Sequence, residues 1–295
     1  MRQRPIDIHS NDNTLFITSR CNNRCLMCCQ PPNNDDDMDE LFEENLRRIH
    51  SAPQSLELIG ITGGEPTLLG DRLIILIQEI RKSLPNTEIQ LLSNGRQFAN
   101  YDYVKKIAEA GGDMLYVGVE LHSDYYKDHD MIAGAKGAYK ETMLGLYNLA
   151  LCGVDIELRI IVCALNYKRL YDISQFIHRN LPFVGWIAFM GMEQTGYAEK
   201  NAKKVWIEPI DFQKELFDAV KYLADWNYRV SIFNLPLCLL PIYLHDYARK
   251  SISDWKNRFA QICNSCVLKM DCCGFFSTSK NYYHGIRPFC QNTIE

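Results

Sequence analysis

Short apolar runs alternate with amphipathic segments along most of the chain. The runs are nearly continuous rather than alternating in polarity, which indicates strands buried on both faces, as in a parallel sheet. The predicted strands are TLFIT (14–18), LELIGIT (56–62), EIQLLS (88–93), MLYVGVEL (114–121), IELRIIVCAL (156–165) and WIAFM (186–190).

The segments between these runs have the spacing of amphipathic helices. They are DELFEENLRRIHSA, DRLIILIQEIRKSL, YDYVKKIAEAG, YKETMLGLYNLALCG, LYDISQFIHRNL and PIDFQKELFDAVKYLADWN. Six β-then-α repeats predict an α/β fold, a partial (β/α)6 barrel of the TIM type. An open doubly wound sheet is the alternative.

The periodicity weakens after about residue 235, where LPLCLLP, SISDWKNRF and CNSCVLKMDCCGFF follow. We therefore predict two domains, a partial barrel over 1–234 and a small cysteine-rich subdomain over 235–295. Such a tail needs something other than its own apolar core to hold it together, and a bound metal centre would serve.

Composition and charge narrow the range of functions that the chain can have. The 295 residues are 47% hydrophobic, which suffices for a large core, and a net charge of −4 provides no general attraction to nucleic acid. No apolar run has the length of a signal peptide or a membrane span, so we expect a cytoplasmic protein without a membrane partner. Twelve cysteines in a reducing compartment favour metal or cluster ligation over disulfides.

Unusual residues follow four of the predicted strands. In a parallel barrel the chemistry lies at the carboxyl ends of the strands, so these residues predict one shared site. They are Cys21, Cys25 and Cys28 after the first strand, Gly63, Gly64, Glu65 and Pro66 after the second, Ser93, Asn94 and Gly95 at the third, and Glu120 and His122 at the fourth.

The spacing C-x3-C-x2-C lets one loop wrap a cubane iron–sulfur cluster from three sides. The fourth iron then has no protein ligand, and an open metal position is a catalytic feature that binds an exchangeable molecule. Zinc held by Cys21, Cys25, Cys28 and Cys29 is the alternative, but it leaves the GGEP segment unexplained.

CNNRCLMC (21–28) together with GGEP (63–66) resembles the radical S-adenosylmethionine (SAM) superfamily. The resemblance implies a [4Fe-4S] cluster at the three cysteines, SAM on its open iron, and the glycine-rich turn beside the methionine amino group. Met27 stands where the family often has an aromatic residue, and its soft side chain can pack in the same place.

Further cofactor contacts follow from the same resemblance. Ser93 and Asn94 resemble the ribose and methionine contacts of the family, and a simple turn in SNG is the alternative. Glu120 is predicted to bind the ribose hydroxyls. His122 either lines the pocket or is a hydrogen-bonded interior histidine.

Arg159 lies inside an apolar strand, where an unpaired charge would be costly. We expect it either to bind the carboxylate of SAM or to pair with an acidic side chain. Cys152 and Cys163 are predicted to be core thiols.

A second ligand set, C-x2-C-x5-C, lies in the tail. Its spacing resembles the SPASM and twitch subdomains of peptide-modifying radical enzymes, and it implies one auxiliary [4Fe-4S] cluster, with structural zinc as the alternative. The predicted ligands are Cys238, Cys263, Cys266 and Cys272. Cys290 could replace Cys238 as the fourth ligand, and Cys273 is predicted not to be a ligand.

A closer resemblance covers several segments, namely ELHSDYYKDHDMIAG (120–134), MGMEQTGYA (190–198), NLPLCLLP (234–241), SISDWKN (251–257) and CCGFF (272–276). They resemble the His-Xaa-Ser system radical SAM maturases of the C type (HxsC). This implies maturation of a ribosomally made precursor peptide, a partner maturase or peptide-delivery protein, and an external electron donor. The implied reaction is reductive cleavage of SAM to a 5′-deoxyadenosyl radical that abstracts hydrogen from the peptide, with no catalytic residue assigned beyond the cluster and SAM.

Two other functions stay open. One is a radical SAM enzyme that acts on a small molecule or on tRNA, although no basic stretch or RNA-binding module supports tRNA. The other is not an enzyme at all: an iron–sulfur or zinc protein that senses redox state or serves as a scaffold.

Overall fold

The computed structural model describes residues 3–10, 12–35 and 37–290. Residues 291–295 of the predicted C-terminal subdomain lie outside the described residues. The chain forms two compact units. The first contains the residues up to Arg24, Pro31–Leu121 and Ala133–Leu158, and the second contains Cys25–Gln30, His122–Ile132 and the chain from Arg159 onwards.

Seven strands form one sheet in chain order. They are β1 (Thr14–Phe16), β2 (Leu58–Thr62), β3 (Glu88–Ser93), β4 (Leu115–Glu120), β5 (Asp155–Ile161), β6 (Trp186–Met190) and β7 (Arg229–Phe233). β1 to β4 pair in parallel, as do β6 and β7. The predicted α/β fold with the parallel sheet of a partial TIM-type barrel is confirmed.

Helices follow the strands as the repeat pattern predicts. They are α1 (Met38–His50), α2 (Asp71–Ser83), α3 (Tyr101–Gly111), α4 (Tyr126–Ala133), α5 (Ala138–Leu151), α6 (Leu170–Asn180), α7 (Gly196–Lys200), α8 (Ala202–Val205) and α9 (Gln213–Asp225). The helix predicted from Pro209 begins instead with a 3-10 turn, Pro209–Phe212, before α9. Most helical stability comes from the buried apolar face, as with Leu73, Leu76 and Ile80 of α2.

Besides the short helices α7 and α8 and the short elements of the tail, two further elements, β7 and α4, were not predicted. β7 has the sequence RVSIF, in which an arginine and a serine break the apolar run. α4 has the sequence YKDHDMIA, which is mostly polar. Both elements therefore lack the continuous apolar stretch on which the prediction depended.

The register of the first unit places the ends of its strands side by side. Phe16 lies opposite Thr62, and Ser93 lies opposite Val119. Strand residues such as Ile61 are fully buried. The loops that follow β1, β2 and β3 therefore leave the same edge of this four-stranded portion.

The second unit contains the cysteine-rich tail, which has little regular structure. It consists of 3-10 turns at Leu237–Leu239, Ile242–Tyr247, Asp254–Lys256 and Gln261–Ser265, and of the short antiparallel pair β8 (Asn257–Arg258) and β9 (Phe275–Phe276). Two buried apolar clusters of the described tail have three members each: Leu239, Phe275 and Tyr283 form one, and Ile252, Cys273 and Phe276 form the other. The domain boundary at 234/235 stays a prediction. Across the described chain, no helix is long and apolar enough to cross a membrane.

Candidate functional site

The GGEP turn after β2 is bound to the chain that leads to the first cysteine. Gly64 N donates to Thr18 O at 2.7 Å, and Glu65 N donates to Arg20 O at 2.8 Å. A Cβ on Gly64 would lie 2.2 Å from Arg20 O, so no side chain fits there. The close backbone approach fixes the turn against the residue next to Cys21.

Glu65 connects the turns after β2 and β3. Its buried carboxylate accepts hydrogen bonds from Thr67 N (3.1 Å), Thr67 Oγ1 (2.6 Å), Ser93 Oγ (2.8 Å) and Asn94 N (2.8 Å). Burial raises the pKa of the Glu65 carboxyl group, and these hydrogen bonds oppose that rise. Glu65 was predicted as a cofactor contact, and in the structure it holds two other predicted contacts, Ser93 and Asn94.

The turn that the SNG sequence favours is present. Gly95 has a left-handed φ of 81°, its N–H donates to Ser93 Oγ at 3.0 Å, and Thr142 Oγ1 donates to Asn94 O at 2.8 Å. Gly145 of α5 approaches so closely that a Cβ on it would lie 2.2 Å from Gly95 O. Binding of ribose or methionine by Ser93 and Asn94 stays a prediction.

Amide donors surround the sulfur of Cys21. Asn23 N lies 3.3 Å from Cys21 Sγ, and Asn94 Nδ2 lies 3.8 Å from it. Burial, together with the charges of Glu65 and Glu120, raises the pKa of the Cys21 thiol to about 11, while the amide donors lower it. A buried thiol in such surroundings ionises when a metal ion takes the proton's place, and the amides then stabilise the thiolate. The residues around Cys21 thus fit a metal-bound sulfur.

Arg96 also positions this part of the site, although it was not predicted from the sequence. Its Nη1 donates to Asn22 O at 2.6 Å and to Asn23 Oδ1 at 2.9 Å, and its Nε donates to Glu141 Oε2 at 2.5 Å. The sequence feature that could have indicated this role is the position of Arg96 directly after the SNG turn. Arg96 ties the residues just beyond Cys21 to the turn after β3.

The remainder of the cysteine loop belongs to the second unit and is held by backbone contacts. Leu26 N donates to Ile132 O at 2.8 Å, and Tyr197 N donates to Cys28 O at 2.8 Å. Met27 is buried in the apolar cluster that contains Ile132. The side chain of Met27 therefore anchors the loop between Cys25 and Cys28.

His122 contacts a cysteine of this loop. The ring atom Nε2 of His122 lies 3.7 Å from Cys25 Sγ. The backbone N–H of His122 donates to His129 Nδ1 at 3.2 Å, and its backbone carbonyl accepts from Asn166 Nδ2 at 3.0 Å. Burial lowers the pKa of His122 to about 4. One of the two predicted alternatives, a hydrogen-bonded interior histidine, describes these contacts; the proximity to Cys25 was not predicted.

Arg159 of β5 does not have the acidic partner that was one of its two predicted roles. Its Nε and Nη2 lie 3.4 and 3.3 Å from Met190 Sδ, and within residues 3–10, 12–35 and 37–290 no carboxylate pairs with it. The acidic pairing is therefore wrong, because a thioether occupies that position. The other role, binding of the SAM carboxylate, stays a prediction.

The two cysteines predicted as core thiols differ in exposure. Cys163 is fully buried. Cys152 is only half-buried, because it is the C-cap of α5, where the chain leaves the helix. Within the described residues no cysteine forms a disulfide bond.

Four tail cysteines surround one small cavity in the second unit. The cysteines that line it are Cys238, Cys263, Cys266 and Cys272, which are the four predicted ligands. Burial raises the pKa of Cys238, and the charges of the other three cysteines raise it further. Cys290, the predicted substitute for Cys238, is exposed and is not among the lining residues.

The sulfurs of this cavity also receive hydrogen bonds. Gly274 N lies 3.4 Å from Cys272 Sγ, and Phe289 N lies 3.4 Å from Cys266 Sγ. A hydrogen bond from the buried Cys273 thiol lowers the pKa of Cys272 to about 6. Clustered sulfurs with amide donors are the surroundings that a metal-thiolate centre requires.

A family model described as the radical SAM superfamily matches residues 15–177, more than half of the chain. The chain belongs to the radical SAM superfamily. Its cofactors are accordingly a [4Fe-4S] cluster and SAM, it needs an electron donor, and the tail cysteines are consistent with an auxiliary cluster.

Curated relatives of this radical SAM protein include enzymes that are named for small molecules. The GTP 3′,8-cyclase of Nautilia profundicola is 27% identical over 189 residues, which cover 61% of this chain and 57% of the relative. The GTP 3′,8-cyclase of Campylobacter jejuni subsp. doylei is 26% identical over 267 residues, 87% of this chain and 77% of the relative. The 7,8-dihydro-6-hydroxymethylpterin dimethyltransferase of Methanocaldococcus jannaschii is 24% identical over 193 residues, and the chain spans 37% of its length.

Solved structures share the fold. Native anSMEcpe with bound AdoMet and Cp18Cys peptide matches with a TM-score of 0.56 and 20% identity over 74% of this chain and 62% of that chain. Coproporphyrinogen III oxidase (HemN) from Escherichia coli matches with a TM-score of 0.54 and 13% identity over 72% and 51% of the two chains. At these identities the likeness concerns the fold alone.

Proposed function

We propose that this radical SAM enzyme modifies a ribosomally made precursor peptide of the His-Xaa-Ser type. The observation that carries the proposal is the cavity lined by Cys238, Cys263, Cys266 and Cys272. It provides a second ligand set, and two of its four cysteines, Cys238 and Cys272, lie in the tail segments that resemble the HxsC maturases. A partner protein would deliver the peptide, and an external donor would supply the electron.

In this proposal Cys21, Cys25 and Cys28 hold the first cluster and leave its fourth iron open for SAM. When bound, the cluster and SAM supply the 5′-deoxyadenosyl radical that takes a hydrogen atom from the peptide. The N–H groups of Gly64 and Glu65 are bonded within the chain, and Pro66 has no N–H, so the backbone groups that Gly64 to Pro66 offer are carbonyl oxygens. Carbonyl oxygens suit the methionine amino group, because an amino group donates hydrogen bonds.

In the same proposal, polar side chains bind the ribose hydroxyls and the methionine carboxylate of SAM. Ser93, Asn94 and Glu120 provide oxygen and amide atoms for the ribose hydroxyls and the methionine. Arg159 provides a guanidinium for the carboxylate, and among the described residues its polar contact is only a thioether. In this proposal His122 contacts Cys25 of the cysteine loop and does not bind SAM.

The tail cavity would hold one auxiliary [4Fe-4S] cluster through Cys238, Cys263, Cys266 and Cys272. Its ligands are thiolates, which suit zinc equally well, so a structural zinc ion is the competing occupant. An iron and acid-labile sulfide assay on the anaerobically purified chain separates the two occupants. Roughly eight irons per chain support two cubanes, and roughly four support one cubane and zinc.

A second candidate function is the transformation of a nucleotide or another small molecule. The observation that favours it is the match to the C. jejuni GTP 3′,8-cyclase over 87% of this chain. The radical chemistry would be the same, and only the substrate would differ.

One anaerobic assay tests both candidates. The reconstituted chain is incubated with SAM, a reductant and either a synthetic peptide of His-Xaa-Ser repeats or GTP, and the substrate is followed by liquid chromatography with mass spectrometry. We expect a mass change in the peptide that requires SAM and disappears in the C25A variant. Conversion of GTP into a new chromatographic peak, with an unaltered peptide, would favour the second candidate, because closure of a ring within GTP need not change its mass.

A further inference from the structure

His122 is oriented by contacts at both of its backbone polar groups. Its N–H donates to His129 Nδ1 at 3.2 Å, and its carbonyl accepts from Asn166 Nδ2 at 3.0 Å. His122, His129 and Asn166 are all at least 98% buried. Hydrogen bonds in so dry an environment are geometrically restrictive, because a broken bond would leave a buried polar group unpaired.

Asn166 is itself fixed by the strand that it follows. Cys163 N donates to Asn166 Oδ1 at 2.9 Å, and Asn166 Nδ2 also donates to Ile161 O at 2.9 Å. The side-chain amide of Asn166 thus uses its oxygen and its nitrogen to join the end of β5 to the backbone of His122. This arrangement fixes the backbone position from which the imidazole of His122 projects.

The imidazole points at a cysteine of the cluster loop, with Nε2 3.7 Å from Cys25 Sγ. A thiolate sulfur has lone pairs and no proton, so this contact is attractive when Nε2 carries the hydrogen. We propose that His122 is a positioning residue that donates a hydrogen bond from Nε2 to the Cys25 thiolate and thereby raises the reduction potential of the first cluster. The inference rests on the proposed function, in which Cys25 is a ligand of that cluster.

The direction of the effect follows from charge. One-electron reduction adds a negative charge to the cluster and its sulfurs, so a hydrogen-bond donor stabilises the reduced form more than the oxidised form. Removal of the donor should therefore make reduction harder. His122 would make the cluster easier to reduce by the electron donor.

The test is an anaerobic redox titration of the full reconstituted chain, followed by electron paramagnetic resonance. The signal that changes when SAM is added identifies the first cluster. For H122L we expect the equilibrium constant for one-electron reduction to fall about tenfold, a midpoint potential about 59 mV more negative. H122Q keeps an N–H donor and should restore most of the loss, whereas a purely structural role predicts no such rescue.

Two further variants keep the test decisive. N166A releases the His122 carbonyl and should shift the potential in the same direction by a smaller amount, which decides the matter if H122L does not assemble. H178L removes a histidine of α6 that stacks on Trp226, and it should leave the potential unchanged. The potential of an auxiliary cluster, where present, provides an internal reference.

The outcomes separate this inference from the proposed function. Unchanged potentials in H122L and N166A, with the iron of the first cluster bound, would overturn the role of His122 alone. Retention of that iron in the C21A/C25A/C28A variant would instead overturn the ligand assignment, and both proposals with it.

Discussion

The GGEP turn and the cysteine-rich tail are both polar regions, but they differ in what holds them in place. At the turn, Glu65 receives four hydrogen bonds from protein groups and Gly64 lies against backbone, so the chain alone specifies the geometry. In the tail, strands of two residues and small apolar clusters surround four cysteines. The contrast predicts that the first region is preformed before a cofactor binds, whereas the second depends on a bound centre for its fold.

The difference determines what each region loses when its ligand is removed. A preformed site loses function and keeps its fold, because ordered protein groups already satisfy one another. A region whose metal supplies the missing core loses its fold, because binding free energy is folding free energy there. Four sets of variants test this contrast, from the largest expected effect to the smallest.

The largest effect is expected for C238A/C263A/C266A/C272A. Structural metal sites contribute about 10–16 kcal/mol in zinc-finger peptides, so the tail should lose its ordered structure without its centre. Limited proteolysis with mass spectrometry should find rapid cleavage after about residue 235, whereas C21A/C25A/C28A should resist as the wild type does. Equal resistance of the two variants would show that the tail folds without a metal.

The next effect is expected at the close backbone contact. The added methyl group of G64A would meet Arg20 O, so the turn must move, and we expect a loss of about 3 kcal/mol in the free energy of unfolding. The matched control is G153A, where a positive φ of 71° is accompanied by open space, and the expected loss is about 1 kcal/mol. Urea denaturation measures both, and a similar loss in the two variants would contradict the contact argument.

E65Q should have an intermediate effect. The amide replaces one acceptor oxygen by a donor that faces the donors of Thr67, Ser93 or Asn94, and a buried unpaired group costs about 1–3 kcal/mol. We expect about 2 kcal/mol less unfolding free energy by urea denaturation, together with weaker SAM binding. E43Q, at an exposed position of α1, serves as the control and should change neither quantity.

The smallest change in stability is expected for R159M. The polar contacts of the guanidinium are with Met190 Sδ alone among the described residues, so its removal should change the unfolding free energy by less than about 1 kcal/mol. The dissociation constant for SAM should rise about tenfold, as for the loss of one charge-assisted hydrogen bond. Equilibrium dialysis with labelled SAM provides the measurement, and an unchanged constant would remove Arg159 from the cofactor site.

The sequence predicted the fold well where apolar periodicity was strong. Six strands and the long helices were found in this way, because burial on both faces of a parallel strand leaves a continuous apolar run. β7 and α4 were missed, because Arg229 and Ser231 interrupt the first and polar residues dominate the second. These elements depend on tertiary packing rather than on local pattern.

The candidate site was predictable in its residue types but not in its hydrogen bonds. Spacing identified the cysteines and the GGEP turn, but nothing local shows that Glu65 binds the turn after β3, which lies 28 and 29 positions further along the chain. His129 and Asn166 were missed for the same reason. Their role exists only once the fold brings separate segments together.

The approach of Gly145 to Gly95 O has a consequence for genetics. A Cβ at position 145 would lie 2.2 Å from that oxygen, and the oxygen belongs to the turn that presents Asn94. In a mutational scan scored by cell phenotype, position 145 should therefore tolerate replacement as poorly as the cysteines, although it bears no functional group. An allele changed there would behave as a null allele, and a catalogue of harmful variants drawn only from the iron ligands would overlook it.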